Sequence, residues 1–334
     1  MTPPVFVVGT GRCGSTMLSN MLAECPSVLM LSEFIVSLSP GAFPEGTLSA
    51  AQFWSLLTTP RLKYSTLIGH KIAPSELLYA NSGASWSGGI PPILLVTLPF
   101  LTDEPEELFD WLETTVADLP DAPVADHYQR LLTLMAERLG RSTVIERSGG
   151  SLRFVPALHR AFPDARFVHL FRNGYDCARS MSRHASFRLA ALLEEAKDVL
   201  GGDPFHMDKR PAGPLPPEIR AILPESFDAE YVMRAEIDDE VFGRLWSTQV
   251  VYGLAALKRI PSERVYSLRY EDLVAEPNAR LTELAEWIGL EGGDWIEQAV
   301  AIPDSAKRNG GAKGVSTQLR RGSSIGMRLL GYSQ

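Results

Sequence analysis

VFVVGTGRCGST, residues 5–16, is the stretch on which the fold turns. An apolar, β-branched run ends in Gly9, Gly11 and Gly14. Apolar residues then recur at helical spacing at Met17, Leu18, Met21 and Leu22, so strand, tight turn and helix come in immediate succession. Glycines there let backbone amides close on an anion, and a helix opening near Gly14 adds unpaired N–H groups and a positive dipole end. The spacing Gly9, four residues, Gly14, Ser15, Thr16 approaches a nucleoside-triphosphate P-loop, but Ser15 stands where that loop carries lysine, and the positive charge lies at Arg12. Without the lysine, phosphoryl transfer is disfavoured while anion binding remains implied. The alternative is a glycine-rich turn that holds no ligand. Cys13 could be a phosphatase-type nucleophile only with an arginine six positions on, and Ser19 is there, so Cys13 reads as a small loop residue.

The 334 residues, 45% hydrophobic and 22% charged, have the composition of a soluble globular protein with a sizeable core. A net charge of −8 argues against a nucleic-acid or anionic-membrane surface, so an anion must be caught by local arginines. Cys13, Cys25 and Cys177 lack metal-ligand spacing and form an odd set, which fits a reducing, cytoplasmic setting without a metal. No signal core is visible. The most apolar run, Ile90 to Leu101, is too short to span a membrane and carries three prolines.

The pattern predicts an α/β fold with a central parallel sheet. Val28 to Leu31 reads as a buried strand delivering Glu33 at its end, followed by Thr143–Glu146, Arg166–Phe171 and Arg264–Tyr270. Helices are expected over Leu152–Phe162, from Gly174 without a break to beyond Leu192, over Val241–Leu257 and over Arg280–Ile288. Two mostly helical insertions, about 40–139 and 201–239, interrupt this core. The first is expected to cover the top of the sheet and shape an acceptor pocket, with plain helical packing as the alternative for its residues, and the second to form a loop or lid. The whole chain, 1–334, reads as one domain. The segment Lys307 to Gly322 is glycine-rich and basic in an acidic protein. It is either a flexible strap that closes over an anion, with Lys313 and Gly314 as candidate contacts, or a solvated tail.

Two strand ends therefore carry anion-binding chemistry: Arg12 with the amides of Gly11 to Thr16, and Arg172 with Ser180 eight residues later. Two such sites suit a ligand with phosphate-like groups at both ends. Here the chain resembles the sulfotransferases that use 3′-phosphoadenosine-5′-phosphosulfate (PAPS), in GTGRCGST, in FRNGYDCARS and in RYEDLVAEPNARLTELAEWIGL, which occur in the family's order. The resemblance implies that Gly11, Arg12, Cys13, Gly14, Ser15 and Thr16 hold the 5′-phosphosulfate. It also implies that Arg172 and Ser180 hold the 3′-phosphate and that Tyr270 lies near the nucleotide. The implied reaction moves a sulfuryl group to a hydroxyl of a small-molecule, lipid or carrier-linked acceptor.

Glu33 lies twenty-one residues beyond Arg12, as does the catalytic base of the tyrosylprotein-type members, and an attacking alcohol needs a carboxylate to take its proton; the alternative is a helix-capping or surface acid. Arg147 departs from the resemblance. By its spacing to Phe162 and Pro163 it falls where those relatives have a catalytic lysine; an arginine there can stabilise charge on the leaving oxygen but does not readily give up a proton. Lys71, read as following a strand in GHKIA, is a candidate for the missing ammonium, and His70 is an alternative base to Glu33. The rival functions are a P-loop nucleotide-dependent kinase and a non-catalytic nucleotide-binding protein.

Overall fold

In a computed structural model, which describes residues 2–84, 86–207, 213–301 and 313–333, the strands are β1 (Val5–Val8), β2 (Val28–Ser32), β3 (Thr47–Leu48), β4 (Ala122–Pro123), β5 (Thr143–Arg147), β6 (Arg166–Phe171) and β7 (Val265–Arg269). Five of them form one sheet in the order β2-β5-β1-β6-β7, every pair parallel. The predicted α/β class is the observed one. β1 lies at the centre, with Val5 level with Ile145 on one side and Arg166 on the other. Its neighbours are reached by crossovers in both directions, so the carboxyl ends of β1, β5 and β6 open onto a crevice at the switch of strand order.

Strand alternation divides the core. Val5 and Val7 pack with Leu18, Met21, Tyr175, Trp246 and Leu268, whereas Phe6 and Val8 pack with Leu31, Phe53, Leu98, Leu112, Tyr128 and Leu158. That second set places the first insertion against the sheet. Its helices Ala50–Thr58, Pro105–Ala117 and Val124–Arg138 cover one face of the sheet, and β3 and β4 pair within it as an antiparallel ribbon. The second insertion carries short helices, Pro217–Arg220 and Ala229–Arg234. It builds a small core of its own, Phe205, Ile222, Phe227 and Val232, against Leu67, Leu189 and Leu192.

The predicted continuous helix after Gly174 is two helices, Gly174–Met181 and Ala185–Leu200. The break is held from outside. Arg188, in the second helix, donates to the carbonyls of Ser182 at 2.9 Å, Val232 at 2.7 Å and Ala235 at 2.5 Å, so one guanidinium takes the Ser182 carbonyl and ties the break to the second insertion.

The basic tail is also corrected. Lys307 and Arg308 lie outside the described residues, but Thr317–Leu329 is a helix capped by Ser316, whose Oγ accepts from the Leu319 amide at 3.2 Å. It packs on the helix Asp239–Leu257 through small residues: a Cβ on Gly322 would lie 2.4 Å from the Glu240 carbonyl oxygen, and one on Gly326 2.5 Å from the Trp246 ring. Arg321 pairs with Glu240, and Arg320 lies over the Tyr175 ring. Gly322→Ala must push backbone apart and is expected to destabilise the fold by about 1–3 kcal/mol, read as a lower urea midpoint. Among the described residues no helix is long and apolar enough to cross a membrane.

Candidate active site

Beyond β1 the chain turns with Gly11, Arg12 and Gly14 all left-handed, at φ 73, 56 and 93°. Such a turn aims successive amides into one concavity, ahead of the helix Ser15–Ala23, whose first turn has neither an acidic residue nor a side-chain cap. Two aromatic rings close over the loop. A Cβ on Gly14 would sit 2.3 Å from Tyr270, and one on Gly11 2.6 Å from Phe187, so both positions need glycine for close approach as well as for φ. Cys13 is buried, and burial pushes its thiol up, the reverse of what a nucleophile requires.

Arg12 adopts a backbone conformation that disfavours a side chain and is pinned on three sides. Its Nε donates to Ser180 Oγ at 3.1 Å, its Nη1 meets Glu76 Oε1 at 2.5 Å, and its carbonyl accepts from Arg172 Nη1 at 3.3 Å. Arg172, at the end of β6, is 7% exposed, and its guanidinium lies 4.2 Å from the centroid of the Tyr270 ring. Its Nε is buried without a hydrogen-bond partner, an unmet donor beside the loop. Arg12, Arg172, Ser180 and Tyr270, separated by more than two hundred and fifty residues from first to last, are thus brought to one place. Lys313 and Gly314 meet Arg179, the residue before Ser180, the Lys313 carbonyl accepting from Arg179 Nη2 at 2.7 Å.

Glu76 and His184 give no sign in the sequence, because neither belongs to a motif. The second oxygen of Glu76 lies 3.4 Å from His184 Nε2. That hydrogen bond, with the charges of His184 and Arg12, holds the Glu76 carboxyl well below the usual carboxylate range against the opposing effect of burial. A lowered folded-state pKa stabilises the fold above the unfolded value, and acid removes that contribution. The stability gap between the parent and Glu76→Gln is expected to be open above about pH 5 and to shrink as the pH falls below about 4. Urea unfolding across that range checks it, and a gap that widens in acid contradicts the pairing.

Glu33 follows β2 at φ 55°. Its carboxylate is ion-paired with Arg147 Nη1, and its Oε2 accepts from the Gly149 amide at 2.9 Å. Arg147, 2% exposed, turns its other terminal nitrogen to Ser19 Oγ at 3.0 Å, and Ser19 in turn bonds the Thr16 carbonyl at 3.0 Å. Both terminal nitrogens of Arg147 are therefore engaged, its Nε is buried without a partner, and a continuous polar chain joins the loop helix to Glu33. His70 and Lys71 are placed otherwise. They end the helix Leu62–Gly69 rather than following a strand, and both are exposed. The His70 ring sits 5.1 Å from Phe227, and no hydrogen bond among the described residues joins either side chain to Glu33 or Arg147.

A parallel sheet with a glycine-rich anion cradle after its central strand, two buried arginines beside it and a carboxylate at a nearby strand end defines an α/β protein of the phosphate-loop kind. The family model of the Sulfotransferase family matches residues 99–206 and 224–295, just over half of the chain, and the chain belongs to that family. No curated protein matches it. Among solved structures it is similar to the sulfotransferase domain from the curacin biosynthetic pathway, at 14% identity over 100% of this chain and 99% of that one, with a TM-score of 0.53. That likeness concerns the fold. Weaker likenesses are the sulfotransferase domain of the Synechococcus PCC 7002 olefin synthase (15% identity, 100% and 96% covered, TM-score 0.47) and a sulfotransferase from Alicyclobacillus acidocaldarius (17%, 100% and 98%, 0.43).

Proposed function

We propose that this chain, as a single sulfotransferase-like domain, moves a sulfuryl group from PAPS to a hydroxyl of a small-molecule, lipid or carrier-linked acceptor in a cytoplasmic setting. The observation that carries the reading is the convergence of Arg12, Ser180 and Arg172 on the glycine loop, with Glu33 held at a nearby strand end. The unmet Arg172 Nε and the uncapped amides of residues 14–16 fit an anionic nucleotide. In this reading the amides of Gly11 to Thr16, with Arg12, hold the 5′ end, and Arg172 and Ser180 hold the 3′-phosphate. Tyr270 props the loop and stacks on Arg172. The bound donor supplies the sulfuryl group.

Glu33 takes the proton of the acceptor hydroxyl as its oxygen attacks sulfur. Arg147, with both terminal nitrogens engaged, acts in this reading by fixing the Glu33 carboxylate rather than by reaching the leaving oxygen. Thermal-shift titration with 3′-phosphoadenosine-5′-phosphate (PAP) and with ATP tests the donor, the expected result being stabilisation by PAP well above that by ATP. Equal responses would favour a kinase. Transfer of labelled sulfate from PAPS across an acceptor panel tests the activity, and PAP binding with no transfer to any acceptor would favour a non-catalytic nucleotide-binding protein.

A further inference from the structure

Residues 146–149 surround the Glu33 turn from both sides of the sheet. Along β5 the side chains alternate, so Ile145 and Val144 join opposite cores, and Glu146 and Arg147 leave the strand on opposite faces. Arg147 and the Gly149 amide take the Glu33 carboxylate, and the Arg147 carbonyl accepts from the Glu33 amide at 2.7 Å. On the other side, Glu146 Oε1 accepts from the Ile35 amide at 3.1 Å and Ser148 Oγ accepts from the Val36 amide at 3.1 Å. Ser148 donates its hydroxyl proton to the same Glu146 oxygen at 2.5 Å.

Ile35 and Val36 are the second and third residues of the short helix Phe34–Leu38, and Glu33 is its N-cap. An N-cap side chain ordinarily folds back to accept from one of those two amides. Glu33 makes no such bond. From this geometry we infer that Glu146 and Ser148 are positioning residues, which take over the capping of this helix so that the Glu33 carboxylate stays turned away from its own backbone and toward the reacting hydroxyl. The inference rests on the reading of Glu33 as the base.

The arrangement also accounts for a buried acid that the reaction does not use. Glu146 is 1% exposed, its Oε2 has no hydrogen-bond partner, and burial pushes its carboxyl up to about 7. A carboxyl raised that far is only partly ionised near neutral pH, so it caps the helix with less than a second full negative charge beside Glu33. Glutamine, which keeps the accepting oxygen, is therefore the conservative replacement, and alanine is the disruptive one.

The test compares Glu146→Gln, Glu146→Ala and Ser148→Ala, each alone and combined with Glu33→Gln, in the full chain with PAPS and the best acceptor found. Glu146→Ala is expected to lower kcat by about 10- to 100-fold with PAP affinity unchanged, and Glu146→Gln to stay within about 3-fold of the parent. In the Glu33→Gln background Glu146→Ala is expected to cause no further loss, because it acts through the group already removed. Amide hydrogen exchange of residues 33–38 is expected to rise in Glu146→Ala and Ser148→Ala but not in Glu146→Gln. Should Glu146→Ala fail to fold, Ser148→Ala, which removes one of the two caps, carries the same comparison. Parental kcat in the alanine variants, an additive loss in the Glu33→Gln background, or unchanged exchange would each overturn the inference while leaving the base assignment intact. Parental turnover in Glu33→Gln alone would remove the base assignment itself, and the positioning inference with it.

Discussion

Glu33→Gln is expected to lower turnover by roughly 10²- to 10⁴-fold while PAP binds nearly as before. The substitution keeps the shape of the side chain and an oxygen for the Gly149 amide, and removes the basicity that an attacking hydroxyl requires. It also removes the negative partner of Arg147, which is 2% exposed, so some loss of stability accompanies the loss of rate. PAP affinity separates the two effects, since a disturbed fold would weaken nucleotide binding as well. Glu33→Asp serves as control: it retains a carboxylate, shortens its reach and is expected to recover part of the rate. His70→Ala is expected to do little, because that ring packs on Phe227 at the solvent-exposed end of a helix. The opposite ranking of Glu33 and His70 would move the base role.

Arg172→Ala is expected to weaken PAP binding by roughly 2–4 kcal/mol, a loss of about 30- to 1,000-fold. Three contributions add up at this residue. Its guanidinium stacks on Tyr270, the ring that rests against Gly14; its Nη1 holds the Arg12 carbonyl; and its Nε is a buried donor with no partner in the protein. In the proposed reading alanine therefore removes both a phosphate contact and a brace of the loop. Arg172→Lys keeps the charge but not the planar stack or the fork of donors, and is expected to recover only part of the affinity. Calorimetric titration with PAP and with adenosine 5′-monophosphate resolves the assignment: selectivity for the nucleotide carrying a 3′-phosphate should fall with Arg172, and parental PAP affinity would refute it.

What could be read in advance was local. The strand, loop and helix of residues 5–23 announce themselves by period and glycine spacing, and Arg172 and Ser180 lie at opposite ends of one short helix. The link between Glu33 and Arg147 crosses 114 residues and depends on β2 and β5 being neighbours, which no pattern within either strand reveals. Glu76 reaches Arg12 from an irregular stretch of the first insertion, and Phe187 covers Gly11 from the first turn of the helix Ala185–Leu200, beyond the break after Met181. The helix Thr317–Leu329 was missed for a different reason. Its buried side is Leu319, Gly322, Ser323, Gly326 and Met327, so three of the five buried positions are small and the apolar stripe that periodicity detects shrinks to Leu319 and Met327. GHKIA was misread because Ile68 and Ile72 flank the end of a helix with β-branched residues that equally suit a strand.

The first insertion's place against the sheet limits how acceptor choice can diverge among relatives of this chain. Phe6, Val8, Leu29, Leu31 and Val144 share their core with many residues of that insertion, among them Phe53, Leu98, Leu112 and Tyr128, together with the helix Phe34–Leu38, the helices near residues 151–161 and Leu257. Exchanging the whole segment between enzymes, as one would graft a loop, would strip an apolar sheet face and leave a chain prone to aggregation. In the proposed reading, altered acceptor preference is expected instead in parts outside that core, such as the turn at residues 87–89. Chimeras confined to such turns should fold, whereas chimeras that cut at 40 and 139 should be recovered only when the donor's own β2 and β5 travel with them.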